Sequence, residues 1–309
     1  MSKSNVKHPH FSQVKLYRLR NIYPEIEDQL LKAHFRPPEP NQRSRSGFIP
    51  INPEILGDRY QITIDKISYM RLQTEQKILT EAMIKDLMVE NLLSRSPITG
   101  LSSKTDTYAS LSKEEKILLK DQIITDYLPI AFSETFITEG VIDTQNKLLL
   151  INTTNPSRAD TFVNSLRNAV SDLGEFWAST PATVVPLHEF MREVVRNGQS
   201  EDGKFEVGSS CVICEDSKKG QVIRISNGDI SSGQVVQHLN AGVKVTQLNM
   251  VWKDLVEFTL TEDFNLKSVK FLDNPGKDTP WDNVLYDRSV FLSSLINDIV
   301  ELSGGWKQI

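Results

Sequence analysis

The chain has 309 residues, of which 39% are hydrophobic, enough to bury the core of one large domain or of two to three smaller ones. Its formal charge of −5, from 35 basic and 40 acidic residues, provides no general attraction to nucleic acid, so a DNA contact would require basic side chains gathered on one surface. No stretch approaches the roughly 20 apolar residues of a membrane span, and the first residues lack the apolar run of a signal peptide, so we expect a cytoplasmic protein without membrane contact.

The first part of the chain is predicted to mix strands and helices. Residues 13–21 have the composition of a strand, and residues 24–35 are predicted to form a helix that opens at Pro24. A polar loop is expected at 36–47. Apolar and polar residues alternate in 61–72, which predicts a half-buried strand.

A pair of helices is predicted next. Residues 80–93 place Ile84, Leu87, Met88 and Leu92 on one helical face. Ser112 and Glu115 have the spacing of a capping box, which predicts a second helix that ends before Pro129.

Residues 132–140 and 147–152 are predicted to form a β-hairpin, followed by a capped helix. Asn155 is the expected N-cap and Pro156 the first helical residue. The second half of the chain repeats this mixture. Its predicted elements are a strand near 184–186, a helix at 187–195, strands at 205–216 and 221–227, a helix from Asp229 to Gly242, a three-stranded meander at 243–252, 255–260 and 266–272, and a last helix at about 283–302.

This order of elements predicts an α+β fold with mixed antiparallel sheets and packed helices, because strands and helices follow one another without regular βαβ alternation. We expect three subregions within residues 1–309: a first α+β part formed by 1–75 with 130–180, a helical pair at 80–128, and a second α+β part with the C-terminal helix at 184–309.

Local catalytic motifs are absent from the sequence: there is no phosphate-binding P-loop, dinucleotide fingerprint, HExxH site or nucleophile elbow. Cys211 and Cys214 have the CxxC spacing of a zinc or redox site, but zinc requires four ligands and no second pair exists, so we interpret them as strand residues. We therefore expect no cofactor, no metal and no catalytic residues. A metal-dependent nuclease remains an alternative, because its carboxylates can come from distant positions.

Two groups of lysines are candidates for phosphate contacts. Lys113, Lys116 and Lys120 fall at i, i+3 and i+7 and share one helical face. Lys244, Lys267 and Lys270 lie in the predicted meander. Both groups have acidic neighbours, and an ordinary solvated surface is the alternative interpretation of each.

Segments along nearly the whole chain resemble the bacterial RdgC family in order, spacing and total length. The segments that carry the resemblance are KLYRLRN, GFIP at 47–50, EQKILTEAMIKDLM, LPIAFSE, VIDT, KLLLIN, VVPL, REVVRNG, VIRISNGDIS, HLNAGVKVTQLNMVW and SVKFLDN. The SNGDIS loop at 226–231 departs from the family in lacking basic residues.

The resemblance implies a non-catalytic, nucleoid-associated protein that binds double-stranded and also single-stranded DNA with little sequence preference. It further implies a ring-shaped homodimer that limits the RecA recombinase by competing for DNA. A basic hole within an acidic exterior would reconcile this function with the negative net charge, and the six lysines are then the candidate DNA contacts. Phe132, in LPIAFSE, is the candidate dimer-interface residue, with an ordinary core phenylalanine as the alternative. A regulator of recombination that binds a protein partner without significant DNA affinity is the alternative function.

Overall fold

The computed structural model describes residues 10–95, 111–214, 221–226, 230, 243–273, 275–276 and 279–308. Two compact units are present. The first comprises Met1–Lys32, Pro50–Arg71 and Thr138–Ile309, and the second comprises Ala33–Ile49 and Leu72–Ile137.

The described elements mix strands and helices in an α+β order, as expected. The strands are β1 (Val14–Leu19), β2 (Ser44–Ile49), β3 (Gln61–Ile64), β4 (Ile67–Lys77), β5 (Ser133–Asp143), β6 (Leu148–Ile151), β7 (Ala178–Ser179), β8 (Phe205–Cys214), β9 (Val222–Ser226), β10 (Lys244–Trp252), β11 (Val256–Thr261) and β12 (Asn265–Phe271). The helices are α1 (Glu27–Lys32), α2 (Pro53–Leu56), α3 (Glu81–Arg95), α4 (Lys113–Tyr127), α5 (Pro156–Ala169), α6 (Leu187–Asn197) and α7 (Trp281–Leu302), with short 3₁₀ turns at Leu128–Ile130 and Ser171–Leu173.

The first unit is built on an antiparallel sheet in the order β5-β6-β1-β12-β11-β10-β8-β9. One face of this sheet forms a hydrophobic core with α6 and α7, to which both helices contribute fully buried leucine, isoleucine and valine side chains. At the β5-β6-β1 end, the opposite face is covered by α5: Gly140 of β5 lies under the Phe162 ring, and the Tyr17 hydroxyl of β1 donates to Asp160 at 3.2 Å.

Asp298 of α7 connects that helix to the sheet. Its carboxylate accepts hydrogen bonds from Lys204 Nζ (2.8 Å), Trp252 Nε1 (2.8 Å) and Lys253 Nζ (2.9 Å). Burial alone would raise the pKa of Asp298, but these hydrogen bonds hold the pKa below its ordinary value of 3.8. The folded state therefore stabilises the ionised carboxylate.

The second unit combines a small sheet with the predicted helical pair. Its strands are β2, residues 72–77 of β4 and residues 133–137 of β5, in the order β2-β4-β5. Helices α3 and α4 pack through four buried side chains, which are Ile84, Met88, Leu119 and Ile123.

Local helix signals in the sequence are confirmed. Ser112 Oγ accepts from the Glu115 backbone N–H at 3.2 Å, and the Glu115 carboxylate accepts from the Ser112 N–H at 2.8 Å, so the capping box of α4 is complete. Asn155 caps α5 by accepting from the Arg158 N–H at 3.2 Å, and Pro156 occupies the first helical position. The hairpin of β5 with β6 and the meander of β10, β11 and β12 are also present.

Four predicted elements need correction. Helix α1 begins at Glu27 and not at Pro24, and β2 begins at Ser44, inside the predicted loop. Residues 61–72 form a hairpin of β3 and β4 instead of one strand, because Asp65 adopts a positive φ of 52° and reverses the chain. Residues 184–186 form no strand: the N–H groups of 184 and 185 donate to carbonyls 305 and 303 just beyond α7. The predicted helix from Asp229 to Gly242 and most of the 226–231 loop lie outside the described residues.

Within the described part of the chain, no helix combines the length and apolar character needed to cross a bilayer.

Candidate nucleic-acid interface

Beside the part covered by α5, the large sheet carries a polar face opposite the α6–α7 core, which extends from Lys15 of β1 through β12, β11, β10 and β8 to β9. On β11, Val256, Phe258 and Leu260 are buried in the core, whereas the intervening Glu257 and Thr259 remain partly exposed. This is the alternation of a sheet that is covered on one side only. We call this polar surface the open face.

A β-bulge places two of the predicted lysines together on the open face. Lys267 pairs with Thr259 and Lys270 pairs with Glu257, so three steps along β12 match two steps along β11. The extra residue is Ser268, whose φ of 50° accommodates the bulge. Without it, period-two alternation would send Lys267 and Lys270 to opposite faces of the sheet.

Three more basic residues are on this face because each lies next to a strand residue that packs into the core. Lys244 precedes the buried Val245 on β10. Lys15 lies between two core residues of β1, and Arg224 lies between two residues of β9 that pack against the core. The sequence prediction missed Lys15 and Arg224, although the apolar-basic-apolar alternation around each could have revealed them.

Basic side chains outnumber carboxylates among the described strand residues of the open face. Along the described strands β1 and β8–β12, five basic side chains share the face with two carboxylates, Glu206 and Glu257. Lys270 Nζ lies 3.2 Å from Glu257 Oε2, with 63% of its side chain exposed. The ammonium of Lys267 makes no ion pair with any described residue, so this positive charge is not neutralised locally.

The other three predicted lysines lie in the second unit. Lys113 is exposed at the start of α4, and Lys116 is partly exposed one turn later. Lys120 donates to both carboxylate oxygens of Glu81 on α3, at 2.9 and 2.8 Å, and these hydrogen bonds lower the pKa of Glu81. The six lysines therefore form two separate groups of three, one on the open face and one on α4.

Phe132, the candidate interface residue, is 86% exposed, so the alternative of a core phenylalanine is wrong. Ile130, two residues earlier, is 76% exposed. The backbone carbonyl of Phe132 accepts from the Ile78 N–H at 2.7 Å, which fixes the main chain and leaves the ring in solvent. Adjacent exposed apolar side chains of this size are typical of a protein-protein contact.

Cys211 and Cys214 both lie on β8, which confirms them as strand residues. Burial raises the pKa of the Cys211 thiol to about 11. Among the residues described by the structure, no three His, Cys, Asp or Glu side chains are grouped as metal ligands.

Known proteins match this chain along almost its full length. The family model described as "Putative exonuclease, RdgC" matches residues 10–284. "Recombination-associated protein RdgC" of Neisseria meningitidis serogroup C / serotype 2a (strain ATCC 700532 / DSM 15464 / FAM18) is 29% identical over 315 residues, covering 96% of this chain and 99% of the relative. The proteins of the same name from Laribacter hongkongensis (strain HLHK9) and Halorhodospira halophila (strain DSM 244 / SL1) are 28% and 29% identical, covering 96% and 83% of this chain and 98% and 82% of their own lengths.

A family model that spans this much of the chain, together with full-length relatives of one name, establishes its family. The chain belongs to the RdgC family of recombination-associated proteins.

Proposed function

We propose that the chain is a non-catalytic, sequence-nonspecific DNA-binding protein that modulates homologous recombination by occupying DNA and thereby limiting RecA. The observation that carries this proposal is the open face, where five basic side chains face two carboxylates in a chain whose net charge is −5. Segregation of charge of this kind allows an acidic protein to attract phosphate locally.

Lysine ammonium groups on strands suit phosphate contacts better than base readout. Each ammonium is a point charge that tolerates any sequence, whereas base discrimination in the major groove uses side chains with paired donors and acceptors presented by a helix or ribbon. Affinity through the open face should therefore be similar for unrelated duplexes.

We further propose that the protein acts as a homodimer in which Phe132 and Ile130 contribute to a contact between copies. Both side chains are exposed in the single chain, and burying them on association would be favourable. A closed ring of two copies, which the family resemblance implies, requires two distinct contacts with two-fold symmetry. Enclosing DNA in such a ring would prolong its occupancy.

The experiment is a salt titration of binding to two unrelated duplexes of equal length. The log-log slope should be steep and equal for both, at about −0.9 per phosphate contact. Replacing Lys267 and Lys270 together by glutamine should reduce the slope by about one unit for each phosphate that the protein no longer neutralises. Arg196→Gln is the control, because it removes a positive charge, paired with Glu193, from α6, which packs on the opposite face of the sheet.

The same titration separates the alternatives. A regulator that acts through a protein partner predicts weak binding with little salt dependence, or none at low salt. A metal-dependent nuclease predicts strand breaks that appear with magnesium or manganese and disappear with chelator. Limitation of RecA by occupancy predicts that inhibition of RecA strand exchange follows DNA coverage and is relieved by excess unrelated duplex.

A further inference from the structure

A basic cleft of about 620 Å³ lies in the first unit, where β1 ends between β6 and β7. Arg18, Arg20 and Lys147 line it, together with the indole ring of Trp177. Arg18 follows Lys15 by three positions on a regular strand, so the two side chains point to opposite faces of β1. The cleft is therefore distinct from the open face.

Backbone hydrogen bonds hold the walls of the cleft in place. The Leu19 N–H donates to the Lys147 carbonyl at 2.8 Å, and the Arg20 N–H donates to the Trp177 carbonyl at 3.2 Å. Arg18 also pairs with Ser179 across β1 and β7. Main-chain contacts between segments far apart in the sequence thus bring the three basic residues and the indole together.

Each arginine in the cleft lies over a tryptophan ring at cation–π distance. The Arg20 guanidinium lies 5.9 Å from the centroid of the Trp177 ring, and Trp177 is 47% exposed. The Arg18 guanidinium lies 4.8 Å from the Trp306 centroid and donates to the Lys307 carbonyl at 3.1 Å. These contacts place both guanidinium groups beside aromatic rings, while Trp177 keeps a surface open to solvent.

The positive charges of the cleft have no counter-charge among the described side chains. None of the described carboxylates lies within ion-pair distance of Arg18, Arg20 or Lys147. The carboxylate of Asp143, in the turn before Lys147, instead accepts from the backbone N–H groups of 145 and 146 and from the side chain of Asn146. Three neighbouring cations without a counter-charge form a site for an anion.

We infer that this cleft binds one unpaired nucleotide, with its phosphate on Arg18, Arg20 and Lys147 and its base stacked on Trp177. Cations next to an exposed aromatic ring are the combination by which proteins hold single-stranded nucleic acid. A phosphate alone would use the cations without the indole, and an apolar ligand would use the indole without the cations. The inference rests on the proposed DNA binding and deepens it by assigning an unpaired nucleotide to a site of its own, because the cleft and the open face lie on different surfaces.

The test uses two probes that share this chemistry but differ in source: a 5′-phosphorylated, fluorescently labelled thymidine pentanucleotide, and free thymidine 5′-monophosphate. Binding to the full-length chain is measured by anisotropy for the first and by calorimetry for the second. Trp177→Ala should lower the affinity for the pentanucleotide roughly ten- to hundredfold, which is the range expected when one base stack is removed. Trp177→Phe should restore much of the affinity, since a smaller aromatic face remains.

Arg20→Gln should weaken binding and flatten its salt dependence, whereas Arg20→Lys should keep the salt dependence. Arg196→Gln on α6, outside the cleft, is the control and should leave pentanucleotide binding unchanged. Thermal melting of each variant distinguishes weaker binding by a folded protein from unfolding.

Two outcomes would support the inference. If the protein binds the pentanucleotide and not the mononucleotide, the cleft is assigned to unpaired DNA. If it binds both with comparable affinity, the cleft is assigned to nucleotides in general. The inference is overturned if neither probe binds at low salt, if a folded Trp177→Ala binds normally, or if inorganic phosphate competes as well as either nucleotide. Duplex binding is measured in parallel for the unaltered protein and for Trp177→Ala. Failure of the unaltered protein to bind duplex would refute the proposed function and leave this test intact.

Discussion

Replacing Phe132 by alanine is expected to dissociate the proposed homodimer without unfolding the chain. The side chain is 86% exposed, so its removal leaves no cavity within a single copy. Burying a phenylalanine contributes about 1.5–3 kcal/mol, and a two-fold interface contains it twice, which gives about 3–6 kcal/mol per dimer. The dissociation constant should therefore rise by about two to four orders of magnitude.

Sedimentation velocity over a concentration series measures this shift directly. Ile55→Ala is the matched control, because Ile55 is 54% exposed on α2 in the first unit and has no part in the proposed contact. The thermal stability of dilute Phe132→Ala should match that of the unaltered chain within about 0.5 kcal/mol. An unchanged dissociation constant would refute the assignment of Phe132 to the interface, and a chain that is monomeric at all concentrations would refute the dimer itself.

Three further predictions concern the fold. Asp298→Asn should lower the free energy of unfolding at pH 7 by about 2–4 kcal/mol, because hydrogen bonds to a buried charge are removed. Since the folded pKa of Asp298 is lowered, the stability difference between the unaltered protein and Asp298→Asn should be present above pH 3.8 and should be lost as the pH falls through the folded pKa. Urea titrations at several pH values measure this difference. Gly140→Ala should lower the free energy of unfolding by about 1–3 kcal/mol, because the new Cβ would lie 2.2 Å from the Phe162 ring. Adding Phe162→Leu should restore part of the lost stability in the same denaturation assay. Ser112→Ala should lower the free energy of unfolding by about 1 kcal/mol, because it removes the cap of α4, whereas Ser112→Asp should have a melting temperature close to that of the unaltered protein. Equal melting temperatures for the two variants would contradict the role of the capping box.

Elements with a local chemical signal were predictable from the sequence. The capping box of Ser112, the Asn155–Pro156 start of α5 and the alternation in β11 each depend on residues within a few positions of one another. Elements that depend on distant partners were not. Strand β2 begins within the polar SRS segment because it pairs with β4, and the residue types of that first half do not favour a strand.

The candidate sites show the same division. The meander lysines could be placed on strands from the sequence. Their common face, however, depends on a bulge at Ser268, and the sequence there lacks the glycine that often marks a bulge. The basic cleft could not be predicted at all, because Arg18, Lys147 and Trp177 are brought together only by the pairing of β1 with β6 and β7. Exposure of Phe132 likewise depends on where the chain around it packs.

The contact between Lys270 and Glu257 has a thermodynamic consequence for the proposed DNA binding. A phosphate that reaches Lys267 displaces mobile salt ions, and their release into dilute solution favours binding. A phosphate that reaches Lys270 also releases DNA counterions, but it must first break the ion pair with Glu257, which costs part of the gain and leaves an unpaired carboxylate beside the DNA. The two lysines, three positions apart on β12, would then contribute unequally to the affinity, with the larger contribution from Lys267.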